Sequence, residues 1–393
     1  MKKIIILGGS ILQVPAIIKA KEMGLYVIVL DMDTEAVGFK FADEYYIIST
    51  IDTQRVLELA KKIKPNGIIT LASDKPMLTV AKVGEVLDLN TISIDTSVKV
   101  TNKARMREAL DINKVPIPKF KIVNSKSEYM RNIAEFGDKF IVKPADSSGS
   151  RGIFLVDDKS QIEHAYEHSI KYSSTGEVLI EEYLEGPEVS VESITVDGKT
   201  EIIAITDKET TGAPHFVELG HVIPSRLDED IKTKIKNITK LAIKSLGISV
   251  GPSHTEIKIT SEGPKIIEVG ARLGGDNITT HLVPLATNID IVKITIELAL
   301  GKSPNINKKT NKSAAIRYFK VVSGEIIDIK GTDMAQQMKG IKEIRFTKKI
   351  GDYIEVFKSS QDRVGFVISQ AENSYEAVKL CNEAMNTINI DVL

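Results

Sequence analysis

Over the first 95 residues the apolar positions follow two alternating rhythms. Unbroken apolar runs occur at 2–9 (KKIIILGG), 26–33 (YVIVLDMD) and 65–70 (PNGIIT). Between them, segments 11–24, 52–64 and 75–87 return apolar residues every three or four positions. The runs predict strands buried on both faces, and the 3.6-residue period predicts amphipathic helices. Their alternation predicts βαβ units and a parallel sheet, a Rossmann-like module over 1–95. Residues 96–120 predict two short helices, closed by Pro116 and Pro118. From 119 the pattern shifts to strands and hairpins, with a helix near 160–170 and another within 289–312. Strands dominate again from Ser313, and a helix near 374–386 ends the pattern. The expected fold class is α/β (α+β), divided as 1–95, 96–305 with a lobe at about 119–184, and 306–393.

Composition narrows the class. With 42% hydrophobic and 27% charged residues, the chain reads as an ordinary globular protein of several domains. Lys+Arg 52 against Asp+Glu 53 gives no global field toward nucleic acid or an anionic membrane. The opening MKKIIILGGSILQVPAII has the basic start of a signal peptide, but Gly8-Gly9-Ser10 and Gln13 interrupt its apolar run, so it reads as a buried first strand. No stretch approaches the roughly 20 apolar residues of a membrane helix. The single cysteine, Cys381, sits at an apolar helical position and is expected to pack; with no intrachain disulfide available, the expected setting is reducing and cytoplasmic.

Two hairpins carry the candidate chemistry. In KFIVKPADSSGSRGIFLV (139–156) a strand ends at Lys143-Pro144, a Ser/Gly loop follows, and a second strand closes the unit. Such a loop lets backbone N–H groups approach phosphate, although no P-loop motif is present. In HTEIKITSEGPKIIEVG (254–270), a turn centred on Glu262 places Glu256 opposite Glu268. Opposed carboxylates repel unless a cation lies between them, and hard oxygen ligands suit Mg²⁺. Period two puts His254 and Lys258 on the face of Glu256, and Arg272 follows before Gly274-Gly275. Between the hairpins, IEEYLEGPEVSVE (180–192) offers extended backbone for an adenine and carboxylates for a ribose.

Together these segments resemble the ATP-grasp superfamily of ATP-dependent carboxylate–amine and carboxylate–thiol ligases, over essentially the whole chain. HTEIKIT…GPKIIEVGARLGGD is most similar to the dipeptide-forming L-amino-acid ligases and to carbamoyl-phosphate-synthase-like and biotin-carboxylase-like relatives. The resemblance implies a pre-ATP-grasp domain (1–95), an ATP-grasp domain (96–305) and a biotin-carboxylase-like C-terminal domain (306–393). It implies ATP, and Mg²⁺ with Mn²⁺ as a substitute. Lys103 and Lys143 would contact the α- and β-phosphates. The loop Ser147, Ser148, Gly149, Ser150, Arg151, Gly152 would close over the β- and γ-phosphates. Glu181, Glu182, Tyr183 and Leu184 would form the adenine hinge, Glu188 would hold the ribose, and Glu256 and Glu268 would ligate the metal. Arg272 would stabilise the acyl phosphate and the tetrahedral intermediate. Apart from the resemblance, the position of His254 beside the carboxylate pair and Arg272 leads to the expectation that it contacts substrate or orients Glu256. The substrates would be a small-molecule carboxylate and amine, amino acids above all, and a homodimer is expected. The family usually reads Glu-x-Asn-x-Arg, whereas this chain has Gly270 at the asparagine position.

Other segments carry weaker expectations. His215, Glu218 and His221 lie in a stretch expected to border the amino-acid pocket. His164 and His168, four apart on a helix, have a metal-like spacing but no H-E-x-x-H, and a solvated helix face is expected. The basic run NKKTNK (307–312) reads as a solvated linker. Alternative readings are a carboxyphosphate-using or glycinamide-type synthetase, a nucleotide binder without turnover, and an NAD-dependent oxidoreductase built on Gly8-Gly9-Ser10 and Asp31. The last lacks the G-x-G-x-x-G fingerprint.

Overall fold

The computed structural model describes residues 1–149, 151–213, 216–307 and 310–393. Strands β1 (Lys3–Leu7), β2 (Tyr26–Asp31), β3 (Glu44–Ile47) and β4 (Gly67–Ile69) form a parallel sheet in the order β3-β2-β1-β4. Its alternating side chains fill two cores. Ile4, Ile6, Val27 and Val29 pack with Ala16 and Ile17 of helix α1 (Val14–Glu22) and with the helix Ile291–Ala299. Ile5, Leu7, Ile28 and Leu30 pack with α2 (Thr53–Ile63) and α3 (Met77–Leu87). This two-faced burial is why the strands read as unbroken apolar runs. β3 lies outside the sequence reading because it is a four-residue edge strand with no fully buried position.

Helices α4 (Ile94–Thr101) and α5 (Lys103–Ile112) meet at Asn102, which ends the first and caps the second by accepting from Arg105 N. That shared cap fixes Lys103 at the first turn of α5. A four-stranded antiparallel lobe follows, ordered β5-β8-β6-β7, from β5 (Phe120–Val123), β6 (Phe140–Pro144), β7 (Phe154–Val156) and β8 (Val178–Glu182). Helices α6 (Lys126–Asn132) and α7 (Ile162–Ile170) cover its core.

Eight strands make the largest sheet. β9 (Glu188–Val196), β10 (Lys199–Thr210), β11 (Glu218–Ile223), β12 (Gly251–Thr260) and β13 (Gly263–Gly270) join β14 (Ser313–Tyr318), β16 (Ile341–Phe346) and β18 (Gly365–Ala371) in the order β13-β12-β9-β10-β11-β14-β18-β16. The sheet runs across position 305, because β11 pairs with β14. A three-stranded sheet of β15 (Gly324–Lys330), β17 (Tyr353–Ile354) and β19 (Asn389–Val392) lies beside it. The eighteen-residue helix α8 (Glu229–Leu246), also outside the sequence reading, presses Ile235, Ala242, Ile243 and Leu246 into the core behind β12 and β13. Among the described residues, no helix is long and apolar enough to cross a membrane.

Candidate active site

The Glu256–Glu268 opposition is present, reached by a different register. Thr260 pairs with Gly263 around a two-residue turn, tighter than a turn centred on Glu262, because Gly263 takes a positive φ of 117°. A bulge between Glu256 and Ile257 then restores one residue of offset, so Glu256 still faces Glu268. Each carboxylate already meets a lysine. Lys208 Nζ lies 2.8 Å from Glu256 Oε1, and Lys103 Nζ donates to Glu268 Oε1 at 2.9 Å. Lys103 Nζ also donates to the carbonyl of Ser147 at 2.8 Å, tying the helix to the Ser/Gly loop.

Lys143 is buried beside an inward-facing glutamate. Its Nζ lies 2.7 Å from Glu181 Oε2, while Arg107 donates to the same carboxylate at 2.8 and 3.2 Å. Strand β8 is paired on both sides at Glu181, with Phe120 and Ile141, and the buried Glu181 carboxylate is engaged by Arg107 and Lys143 at the wall of a cavity. Burial pushes the Glu181 carboxyl up, but Arg107 and Lys143 outweigh it and hold it at about 2. Burial pushes the Lys143 ammonium down to about 8, with Arg107 and Lys103 adding to the effect and Glu181 opposing it. Glu182 alternates outward, where Lys265 reaches it at 3.2 Å, and Lys139 stacks over the Tyr183 ring at 4.1 Å.

Three neighbouring cavities, which share Ile153, Glu218 and Glu256 in their walls, trace an elongated site. One of about 200 Å³ is bounded by Lys103, Lys143, Ser147, Gly149, Arg151, Glu256, Glu268 and Arg272. A second, of about 190 Å³, has Ile141, Leu155 and Ile267 as apolar walls and Glu181, Glu182, Tyr183, Leu184 and Glu188 along one side. A third, of about 760 Å³, opens from Glu256, His254 and Arg272 toward Glu218, His221, Asp276 and Lys358–Ser360. Gly149 and Gly152 adopt positive φ angles of 64° and 78°, which let the loop turn sharply between β6 and β7. Ser148 accepts from Arg151 Nε through its carbonyl at 3.1 Å; Ser150 and His215 lie outside the described residues.

The remaining candidates divide. His254 is buried, with Nδ1 2.7 Å from Glu192 Oε1 and Nε2 3.6 Å from Glu256 Oε1. Burial lowers its pKa, but Glu192 and Glu256 overcome this and raise it to about 9. His221 is buried with Nε2 3.4 Å from Asp276, which Arg363 also chelates at 2.9 and 3.0 Å. Glu218 accepts from Arg363 at 3.0 Å and lines all three cavities. The expectation of a solvated face for His164 and His168 holds for His164 alone. His168 is half-buried between Phe154 and Tyr172 and lines the large cavity, because the lobe helix leans that side of its surface over the site. Cys381 is fully buried, and burial pushes its thiol up to about 11.

Sequence reasoning missed Lys208, Glu192 and Asp74. Lys208 lies opposite Glu188 on the neighbouring strand, and Glu188 also faces Lys258. The period-two spacing of Glu188 and Glu192 was a signal that both share one face. Asp74 follows β4, at the carboxyl end of a parallel strand, where ligands of α/β sheets gather.

Glu256 and Glu268 fit a Mg²⁺ ion as hard carboxylate donors facing the same cavity. Among the described residues, no three His, Cys, Asp or Glu side chains form a metal-holding group unaided, so water and phosphate oxygens would complete the shell.

Residues 136–280 match the model of the ATP-grasp domain, and residues 317–393 match that of L-amino acid ligase C-terminal domain 2. A phosphoribosylamine–glycine ligase of Methanococcus maripaludis is 25% identical over 429 aligned positions, covering 99% of this chain and 94% of that protein. An alanine–anticapsin ligase of Bacillus subtilis is 28% identical over 277 positions, covering 64% of this chain and 58% of that one. The crystal structure of an L-amino acid ligase from Bacillus licheniformis superposes with a TM-score of 0.84 at 21% identity, covering 100% of this chain and 99% of that one.

Proposed function

We propose, for a chain that belongs to the ATP-grasp superfamily of ADP-forming ATP-dependent ligases, that it joins the carboxylate of one amino acid to the amine of another through an acyl phosphate. The observation that carries the proposal is the adjacency of three cavities with shared walls: a partly apolar slot, a chamber of lysines and paired carboxylates beside it, and a larger room bordered by Arg272. The slot suits adenine against Tyr183 and Leu184, with Glu188 at the ribose. Lys103 and Lys143 suit the α- and β-phosphates, and Lys208, between Glu188 and Glu256, suits the terminal phosphate. The loop from Ser147 to Gly152 would close over them. Glu256 and Glu268 would hold Mg²⁺, which when bound neutralises phosphate charge.

In the first step a substrate carboxylate oxygen attacks the γ-phosphorus and the bond to the ADP oxygen breaks. In the second, the amine nitrogen attacks the acyl carbon, the C–O bond to phosphate breaks, and the amine gives up a proton. Neither step needs a protein nucleophile, which agrees with a chamber of cations and hydrogen-bond donors. Arg272 faces the room where the acyl carbon would lie. Enclosure matters because water would hydrolyse the intermediate. A glycinamide-type synthetase is the second reading, favoured by the chain-long match to the Methanococcus ligase.

Product analysis with Mg²⁺-ATP and amino acids, singly and in pairs, tests the proposal. ADP and phosphate appearing with particular pairs support it; AMP and pyrophosphate would overturn the mechanism. Product with glycine and a phosphorylated sugar amine would favour the second reading.

Two site predictions follow from the lysines. Since the Lys143 pKa lies at about 8, kcat/KM for ATP should fall as pH rises through that value, as the free enzyme loses the charge. Bound polyphosphate favours the protonated form, so kcat should hold to higher pH. Lys143→Arg should remove the alkaline limb, because guanidinium stays charged. A wild-type profile flat well into the alkaline range would refute the assignment. Lys208→Met leaves Glu188, Glu218 and Glu256 facing one another without their shared cation. Turnover should drop by about 10²–10³, the usual scale for one lost electrostatic contact at the reacting group. Steady-state kinetics at saturating ATP would read it, and an undiminished kcat would remove Lys208 from the chemistry.

A further inference from the structure

Position 270 lies on strand β13, between Glu268 and Arg272, and its φ lies outside the left-handed region that would demand glycine. Space is what excludes a side chain there. A Cβ on Gly270 would stand 2.9 Å from Asp74 Oδ1, 3.2 Å from Arg272 Nε and 3.3 Å from Arg272 Cζ. Any side chain at 270 would therefore have to displace the two members of an ion pair. Arg272 Nε donates to Asp74 Oδ1 at 2.8 Å and Nη2 to Oδ2 at 3.0 Å, while Nη1 donates to the Leu273 carbonyl at 3.1 Å. Both side chains are about 15% exposed. A bidentate pair held by a third hydrogen bond leaves the guanidinium one orientation, and Arg272 lines both the phosphate-side chamber and the larger room.

We infer that Asp74, which reaches over from the parallel-sheet lobe, is the positioning residue for Arg272, and that glycine stands at 270 to admit the Asp74–Arg272 pair. The inference rests on the proposed role of Arg272. Leu273 N donates to Leu71 O at 3.1 Å, so the same two segments are also joined through their backbones. Burial pushes the Asp74 carboxyl up, yet Arg272 holds it below its ordinary value and it stays ionised. The Arg272 angle is therefore set from a separate lobe, and docking of that lobe completes the site.

The test compares Asp74→Asn, Gly270→Ala and the double variant under the conditions of the ligase assay. Each single variant should lower kcat about 10- to 100-fold, the scale of a slight misplacement of a site group, while KM for ATP stays within about twofold. The double should be no worse than the poorer single, because both changes disturb the same pair. Gly270→Asn, which restores the family's usual residue, should lower turnover as well. Wild-type turnover in Asp74→Asn, or losses that multiply in the double, would overturn the inference. Should Asp74→Asn fail to fold, Asp74→Glu keeps the charge and displaces it by one methylene; it must show the same split between kcat and KM. Failure of the ligase reading is distinguishable, since wild type would then form no ADP with any pair. The Arg272 Nε–H resonance decides the pairing even then. It should be protected from solvent exchange in wild type and shifted and faster-exchanging in both single variants, since an amide oxygen is a weaker acceptor than a carboxylate, and an unchanged resonance in Asp74→Asn overturns the inference.

Discussion

Glu268→Gln is expected to lower kcat by about 10³ at saturating ATP, with the deficit shrinking as Mg²⁺ is raised. The substitution keeps the side chain's volume and removes only its charge, so packing against the hairpin is preserved. Three consequences converge on the chamber. One of the two carboxylates proposed to hold Mg²⁺ is lost. Lys103 loses its anionic partner at 2.9 Å and keeps only neutral acceptors, the new amide oxygen and the Ser147 carbonyl. The field at the phosphate chamber becomes one unit more positive, which should leave ATP affinity intact or strengthen it. The variant should therefore bind nucleotide and fail to transfer its phosphate. Calorimetric binding of ATP, set beside ADP release across a Mg²⁺ titration, separates these effects. Full turnover would exclude Glu268 from the metal site, and loss of ATP binding would mean that its main task is to hold Lys103.

The alternation of strand and helix in residues 1–95 was legible because each element reports its own burial locally. The Glu256–Glu268 opposition was legible for a related reason, since a hairpin brings its partners together within a few residues. Even there the turn length was misjudged and a bulge made up the difference, something the side-chain pattern does not encode. β3 and α6 are short, with few buried positions, and leave little periodic signal. The ion pairs were hidden for a different reason. Asp74 meets Arg272 across 198 positions and Lys103 meets Glu268 across 165, and such meetings depend on how lobes dock. Lys208 looked like one more charge on a strand, until three strands arranged Glu188, Glu218 and Glu256 around it.

Glu181 and Glu182 are adjacent and chemically identical, yet the same substitution should cost far more at the first than at the second. Strand alternation turns Glu181 inward, where its side chain is 4% exposed between Arg107 and Lys143, themselves 1% and 5% exposed. Glu182 turns outward, 39% exposed, against Lys265. Glu181→Gln leaves two buried cations side by side with no anion between them, and should cost about 3–5 kcal/mol of stability. Glu182→Gln should cost less than about 1 kcal/mol, as befits a surface pair. The Lys143 pKa, already lowered to about 8, should fall further in Glu181→Gln, which relieves part of the cost by shedding a proton. ATP would bring phosphate charge to the vacated position, so saturating nucleotide should raise the melting temperature of Glu181→Gln more than that of wild type. Thermal unfolding of the two variants with and without ATP measures all of this. Equal melting temperatures for both would mean that Arg107 and Lys143 find compensation without Glu181. A stability loss that ATP does not reduce would separate this buried triad from the nucleotide site and confine it to the fold.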